Sequence, residues 1–277
     1  MTINCNGKLI DLSTPRVMGI LNATPDSFYD GGCYRSDATI VNQVQKMLDE
    51  GATFIDVGAY SSKPNAVEVS QDQELQRILP IVELLVKQFP EIILSIDTFR
   101  AEVAEQCVKK GAALVNDISA GQLDKNMLKT VAKLHVPYIM MHMRGTPQTM
   151  QKHTKYDTIL NDILFYFSER IATARALGIK DIIIDPGFGF AKTLEQNFEL
   201  LNVLEGFKLT SLPFLAGISR KSMIYKTLKN SPSDALNGTT ALNMVALQKG
   251  ASILRVHDVK EALECLKLYN QLNKYII

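Results

Sequence analysis

The chain has 277 residues, 46% of them hydrophobic and 21% charged, with 30 Lys and Arg against 29 Asp and Glu and a formal net charge of +1. The length suits one α/β barrel as well as two smaller domains, and a charge balance so close to zero argues against a protein that grips a phosphate backbone, so nucleic acid is not the expected partner. No apolar run approaches the ~18 residues of a membrane span.

Met1 to Leu12 interleaves Asn4, Asn6, Lys8 and Asp11 with apolar residues, which predicts neither leader nor membrane anchor. Eight short apolar runs then follow in order: Val17 to Leu21, Phe54 to Val57, Ile92 to Ile96, Ala113 to Val115, Tyr138 to Met141, Ile182 to Ile184, Phe214 to Ala216 and Ile253 to Val256. Between them lie segments with apolar residues at three- and four-residue intervals, such as Leu75, Ile78, Leu79, Val82, Leu85 and Val86, or Val259, Ala262, Leu263 and Leu266. Alternating strands and helices predict a parallel sheet, and eight strands predict that it closes. The fold class is therefore α/β, a (β/α)8 TIM barrel forming a single domain over residues 1–277. Gly51, Gly111, Gly178 and Gly250 each fall between a helical pattern and the next strand, where a left-handed C-terminal cap is wanted. Cys5, Cys33, Cys107 and Cys265 show no metal spacing and are expected as reduced thiols of a cytoplasmic protein, with Cys107 and Cys265 in the core. Leu242, Val245, Leu263 and Leu266 could serve either core packing or a subunit interface.

Three polar loops leave the carboxyl ends of strands: Asn22 to Asp37, Ser61 to Val69, and Arg144 to Lys155. They are expected to be mobile and to order on substrate.

The strand ends themselves are unusually polar, reading Asn22, Asp56, Asp97, Asn116 with Asp117, His142, Asp185, Ser219 with Arg220, and Arg255 with His257. Any one of these could cap a helix or start a turn, but the set around one rim points to a polar ligand. The chain lacks the paired carboxylates of a glycosidase, a His-x-His on the first strand, a lysine shielded inside the barrel for a Schiff base, and any Ser-His-Asp grouping legible in the spacing. Gly217-Ile218-Ser219-Arg220-Lys221-Ser222 leads from the seventh strand into a helix, so backbone N–H groups and two cations are expected to meet an anion there. In Asp185-Pro186-Gly187-Phe188-Gly189-Phe190 the glycines leave room for a ligand and Phe190 supplies an apolar wall. Asp97 and Asp185 each follow an apolar strand, where a carboxylate needs N–H donors from a protein cation or from a ligand such as an amino-substituted heterocycle.

Over nearly its whole length the chain resembles the bacterial dihydropteroate synthases. The matching motifs run from Met18 to Phe28, from Ile55 to Pro64, Ser95-Ile96-Asp97-Thr98, Val115-Asn116-Asp117-Ile118, Met141-His142-Met143, Asp185 to Phe190, Gly217 to Ser222 and Arg255-Val256-His257-Asp258. The resemblance implies an enzyme, a transferase that joins para-aminobenzoate to 6-hydroxymethyl-7,8-dihydropterin pyrophosphate, giving 7,8-dihydropteroate for folate synthesis and releasing pyrophosphate. It implies a catalytic set of Asp97, Asp185, Lys221 and Arg255, and a pterin pocket of Asp97, Asn116, Asp185 and Lys221 with Arg255 stacked over the ring. Pyrophosphate would be held by Asn22, Ser62, Lys63, Arg255 and His257, with Mg²⁺ as cofactor approached by Asn22 and Asp56 as a second candidate. Para-aminobenzoate would meet Phe28, Ser61, Ser62, Pro64, Phe190, Lys221 and Ser222. The resemblance further implies a homodimer. The chain departs from the family pattern at Lys63, usually Arg, and at Ser62, usually Thr; a lysine contacts phosphate as a point charge where arginine offers a planar fork. The alternatives are the pterin-binding module of a corrinoid methyltransferase and a catalytically silent paralogue.

Overall fold

The computed structural model describes residues 1–23, 33–60 and 69–274, with side chains of the second stretch from residue 37 onward. The chain begins with an antiparallel hairpin, β1 (Thr2–Cys5) and β2 (Lys8–Asp11), that the strand count above does not include. Its signal is present in the sequence: Asn6-Gly7 at the turn, with φ of 51° and 86°, between segments that alternate polar and apolar. Ile3, Cys5, Ile10 and Leu12 lie on the buried face of this hairpin.

The barrel follows. Its strands are β3 (Arg16–Asn22), β4 (Phe54–Gly58), β5 (Leu94–Asp97), β6 (Leu114–Asp117), β7 (Tyr138–Met141), β8 (Ile182–Asp185), β9 (Leu215–Ala216) and β10 (Ile253–Val256). Neighbours pair in parallel in the order β8-β7-β6-β5-β4-β3-β10-β9, and a parallel bridge between Ile184 and Phe214 joins the two ends of that sheet. The connecting helices are α1 (Cys33–Asp49), α2 (Gln71–Gln88), α3 (Ala101–Lys109), α4 (Met127–Leu134), α5 (Ile159–Ala176), α6 (Leu194–Asn202), α7 (Ser222–Leu228), α8 (Leu236–Gln248) and α9 (Val259–Asn273). In α2 a capping box between Ser70 and Gln73 satisfies the first-turn N–H groups, and the stripe Ile78, Val82 and Leu85 is buried against the sheet. All four cap glycines have φ between 93° and 110°, as the strand register requires.

Two separate apolar layers result. One lies between sheet and helices and takes Val57, Leu94, Ile96, Val115, Ile182, Ile184, Leu254 and Val256. The other fills the barrel interior, where Met18, Phe54, Ile93, Leu114, Ile139, Ile183, Leu215 and Ile253 pack on Ile3, Cys5, Ile10 and Leu12 of the hairpin, which plugs the amino-terminal end. Cys107 and Cys265 are buried as expected. Leu266 belongs to the core, and Leu242, Val245 and Leu263 pack partly buried against it, so these residues are accounted for by packing within the chain.

Candidate active site

A strand's side chains alternate between its two faces, so the residue two places beyond an interior apolar residue also points into the barrel, one layer nearer the mouth. Phe54 is followed in this way by Asp56, Ile93 by Ser95 and then Asp97, Leu114 by Asn116, Ile183 by Asp185, and Ile253 by Arg255. The apolar plug therefore carries a polar layer contributed by different strands. Asn22 continues the same register from Met18 and ends β3 exposed at the rim.

Within that layer Arg255 is the hub. Its Nε donates to Asp56 Oδ2 at 2.6 Å and its Nη2 to Asp97 Oδ2 at 2.6 Å, while Asn116 Nδ2 donates to the same Asp56 oxygen at 3.0 Å. Asp56 is wholly buried, and its second oxygen has no hydrogen-bond partner among the described residues. Asp56 thus anchors Arg255 and Asn116 from below the rim. Burial pushes the Asp97 carboxyl up to about 7 against the pull of Arg255, with Asp56 adding to the rise. Burial also works against the Arg255 charge, but Asp56 and Asp97 outweigh it and hold the guanidinium above its ordinary value.

Asp185 and Lys221 complete the layer. Burial raises the Asp185 carboxyl, opposed by Lys221 and Arg255, its cationic neighbours. Lys221 donates from Nζ to Phe188 O and sits 5.2 Å from the centre of the Phe190 ring; burial draws it down to about 8 against the pull of Asp185. The turn after β8 folds tightly because Gly187 takes φ +73°, and a Cβ there would stand 2.2 Å from the His142 carbonyl oxygen. Gly187→Ala is accordingly expected to cost about 2–4 kcal/mol in urea unfolding; a loss under about 0.5 kcal/mol would show that the turn has slack.

Other rim residues turn out differently from the sequence expectation. Arg220 does not join Lys221: with φ of 54° its side chain leaves the mouth and makes a bidentate pair with Asp258, both bonds 2.8 Å, while its backbone N–H donates to Thr239. One cation, not two, faces the layer from this turn. Ser219 Oγ lies 3.0 Å from His257 Nδ1 and accepts from the His257 backbone N–H. This pair was not legible in the spacing, and among the described residues the adjacent Asp258 is engaged by Arg220 and not by His257. Desolvation, then Arg255, brings the His257 imidazole down to about 4. Asp117 is architectural, taking bonds from Tyr138, Ser119 and Gly121 at 2.6–2.7 Å. His142 is buried beside Tyr166, its ring centre 4.8 Å away.

The expectation of three mobile loops needs one correction. The third is tied down: Arg144 bonds Lys155 O and Asp162 and lies 4.0 Å over the Tyr156 ring, Tyr156 bonds Ala191 O and Gln196 bonds Thr154 O. Residues 24–32 and 61–68 of the first two loops, with Phe28, Ser61, Ser62, Lys63 and Pro64, lie outside the described residues. Arg100, which the sequence reading passed over, holds both stems of the second loop; it pairs with buried Glu74, bonds Val69 O at 2.5 Å and stands 5.5 Å from the Tyr60 ring centre.

The pattern of the pterin binding enzyme family matches residues 18–257. The dihydropteroate synthase of Escherichia coli is 44% identical over 270 residues, covering 97% of this chain and 95% of that protein. The chain belongs to the dihydropteroate synthase family. The crystal structure of the Yersinia pestis dihydropteroate synthase in a sulfonamide drug complex superimposes with a TM-score of 0.92 at 41% identity, covering 99% of this chain and all of that one. The Xanthomonas albilineans dihydropteroate synthase with 4-aminobenzoic acid gives 0.91 at 37% identity, covering 100% and 99%. Likeness of this extent to synthases decides for a folate-pathway transferase over the methyltransferase-type pterin module. In this family member, Asp97, Asn116, Asp185, Lys221 and Arg255 converge on one barrel mouth. Phe190 lies beside Lys221, Ser222 opens α7, and Asn22 and His257 stand at the rim.

Proposed function

We propose that the polar layer binds the pterin ring of 6-hydroxymethyl-7,8-dihydropterin pyrophosphate and that para-aminobenzoate enters beside Phe190, Lys221 and Ser222. The observation that carries this reading is the Asp97–Arg255–Asp56–Asn116 cage with Asp185 and Lys221 alongside. Asp97 and Asp185 are the acceptors for the adjacent ring N–H donors of the pterin, and Asn116 reads its amide edge. Arg255 and the neutral His257 hold the pyrophosphate with Asn22 and, from the second loop, Ser62 and Lys63. As the bond from the exocyclic methylene to oxygen breaks, the bonding pair leaves with pyrophosphate and the electron-rich ring spreads the charge left behind. The aryl amine is neutral at pH 7 and attacks without a strong base, losing its proton afterwards. Loss of water from the closed mouth protects the electrophile.

The donors present fit a Mg²⁺ that arrives with its own phosphate and water oxygens, not a resident protein cage. Asn22 offers one exposed amide oxygen, the nearby carboxylates are engaged by Arg255, and no cluster of three metal-binding residues exists among the described residues. When bound, the ion would neutralise charge on the departing pyrophosphate. The protein is further proposed to act as a single domain, as a homodimer and in the cytoplasm; none of the described helices is long and apolar enough to cross a membrane.

Purified protein with the pterin pyrophosphate, para-aminobenzoate and Mg²⁺ is expected to release pyrophosphate and form 7,8-dihydropteroate. Release that occurs without para-aminobenzoate, or none at all, overturns the synthase reading. Asp185→Asn keeps the acceptor for Gly187 N–H, 2.8 Å away, so it should fold normally while pterin affinity falls roughly 10–100-fold by calorimetry. Cooperative unfolding of that variant would mark Asp185 as architectural.

A further inference from the structure

Directly behind the turn that follows β8 lies a buried lysine with no place in the reaction above. Lys192 is 3% exposed and forms no ion pair among the described residues. Its Nζ stands 2.8 Å from Gly187 O, 3.0 Å from Phe190 O and 3.2 Å from His142 Nδ1. Three acceptors match the three N–H donors of an ammonium, so a side chain that would be costly to bury alone is satisfied. Burial, reinforced by Lys192 and Arg144, holds His142 well below the ordinary histidine range; facing an ammonium donor, the neutral ring accepts at Nδ1 and carries its proton on Nε2. Burial also lowers Lys192, opposed by Asp185.

The two carbonyls gripped by Lys192 flank Phe188, whose own carbonyl takes the Lys221 ammonium. Asn197 Oδ1 adds a bond from Gly189 N–H at 2.6 Å, and the His142 backbone N–H bonds Asp185 O at 2.9 Å. The turn is thus held from behind by Lys192 and Asn197 and from the mouth by Lys221. We propose that Lys192, seated on His142, is a positioning residue that sets the carbonyls of the 187–190 turn and through them the placement of Asp185 and Lys221 toward the pterin. It touches no substrate. Without its three bonds the Phe190 carbonyl loses its Lys192 partner and the Gly187 carbonyl keeps only the Phe190 N–H, 3.1 Å away, so the turn relaxes and Phe188 O moves from under Lys221.

The proposal rests on the assignment of Asp185 and Lys221 to the pterin, so the test separates the two readings. The unsubstituted enzyme and the variants Lys192→Met and Lys192→Gln are compared for thermal unfolding, for KM of each substrate and for kcat. Expected is a roughly tenfold or larger rise in KM for the pterin pyrophosphate in Lys192→Met, with a smaller rise in KM for para-aminobenzoate, whose proposed slot shares Phe190 and Lys221 with the turn but not Asp185. Lys192→Gln, which keeps two N–H donors, should recover part of the pterin affinity. Equal rises in both KM values, unchanged pterin KM, or failure of both variants to fold would overturn the positioning role. Failure of the unsubstituted enzyme to bind 6-hydroxymethylpterin in calorimetry would instead remove the pocket assignment beneath it.

Discussion

Replacing Arg255 by Met is expected to lower unfolding free energy by about 3–5 kcal/mol, because it strands charge that has already left water. Exposed ion pairs contribute about 0–1 kcal/mol, and this one is of a different kind. Asp56 is 0% exposed, Asp97 23% and Arg255 20%, and one guanidinium bonds one oxygen of each carboxylate in separate directions at 2.6 Å. Asn116 shares the Asp56 oxygen but is neutral and cannot balance the charge. The double variant Asp56→Asn with Arg255→Met removes the most deeply buried of the orphaned carboxylates and should regain about 2 kcal/mol of the loss, by the same penalty for unpaired charge. Activity should not follow stability. On the role proposed for Arg255 the departing pyrophosphate would lose one of its cations in both proteins, so kcat/KM is expected to fall about 10²–10³-fold in each. Urea unfolding of the single and double variants decides the point. A loss below about 1 kcal/mol in the single variant would show that solvent screens the cage, and activity restored in the double variant would show that Arg255 serves only to neutralise Asp56.

The parts of this site that were legible in the sequence are those fixed by strand periodicity. Phe54 and Asp56, Leu114 and Asn116, Ile183 and Asp185, and Ile253 and Arg255 are spaced by two, and period two alone directs each pair to one face. Which carboxylate anchors and which faces the mouth was not legible, because depth depends on stagger between strands: Asp56 pairs with Ser95, and Asp97 with Asn116. Arg220 shows a different limit. Adjacent to Lys221 in sequence, it was expected to share its anion, yet one residue in the left-handed region reverses the direction of the chain and delivers it to Asp258. Lys192 gave no pattern, since its partners are two carbonyls and a histidine fifty residues away, and backbone acceptors leave no trace in composition. The hairpin, by contrast, carried its Asn-Gly turn and alternation openly.

The pH dependence of pterin capture should be narrow and bell-shaped, with an acid limb near 7 from Asp97 and an alkaline limb near 8 from Lys221. The two groups share a cage with Asp56, Asp185 and Arg255, so the limbs belong to the cluster as a whole. On the acid side, protonated Asp97 offers a hydroxyl where the pterin needs an acceptor; on the alkaline side, neutral Lys221 no longer balances Asp185. Stability moves in the opposite sense across the acid limb. A carboxyl raised from 3.8 to about 7 binds a proton in the folded chain that the unfolded chain has released. Its contribution to stability is therefore full below the ordinary carboxylate range and is lost as pH rises through 7. The enzyme thus becomes competent for its substrate over the same interval in which Asp97 is least favourable to the fold, an exchange that binding of the pterin N–H groups would offset. Profiles of kcat/KM for the pterin pyrophosphate from about pH 5.5 to about 9.5 are expected to lose the acid limb in Asp97→Asn and the alkaline limb in Lys221→Met. An acid limb that persists in Asp97→Asn would assign it to Asp185, whose carboxyl burial also raises, or to the substrate's own phosphates, and refute the role given to Asp97.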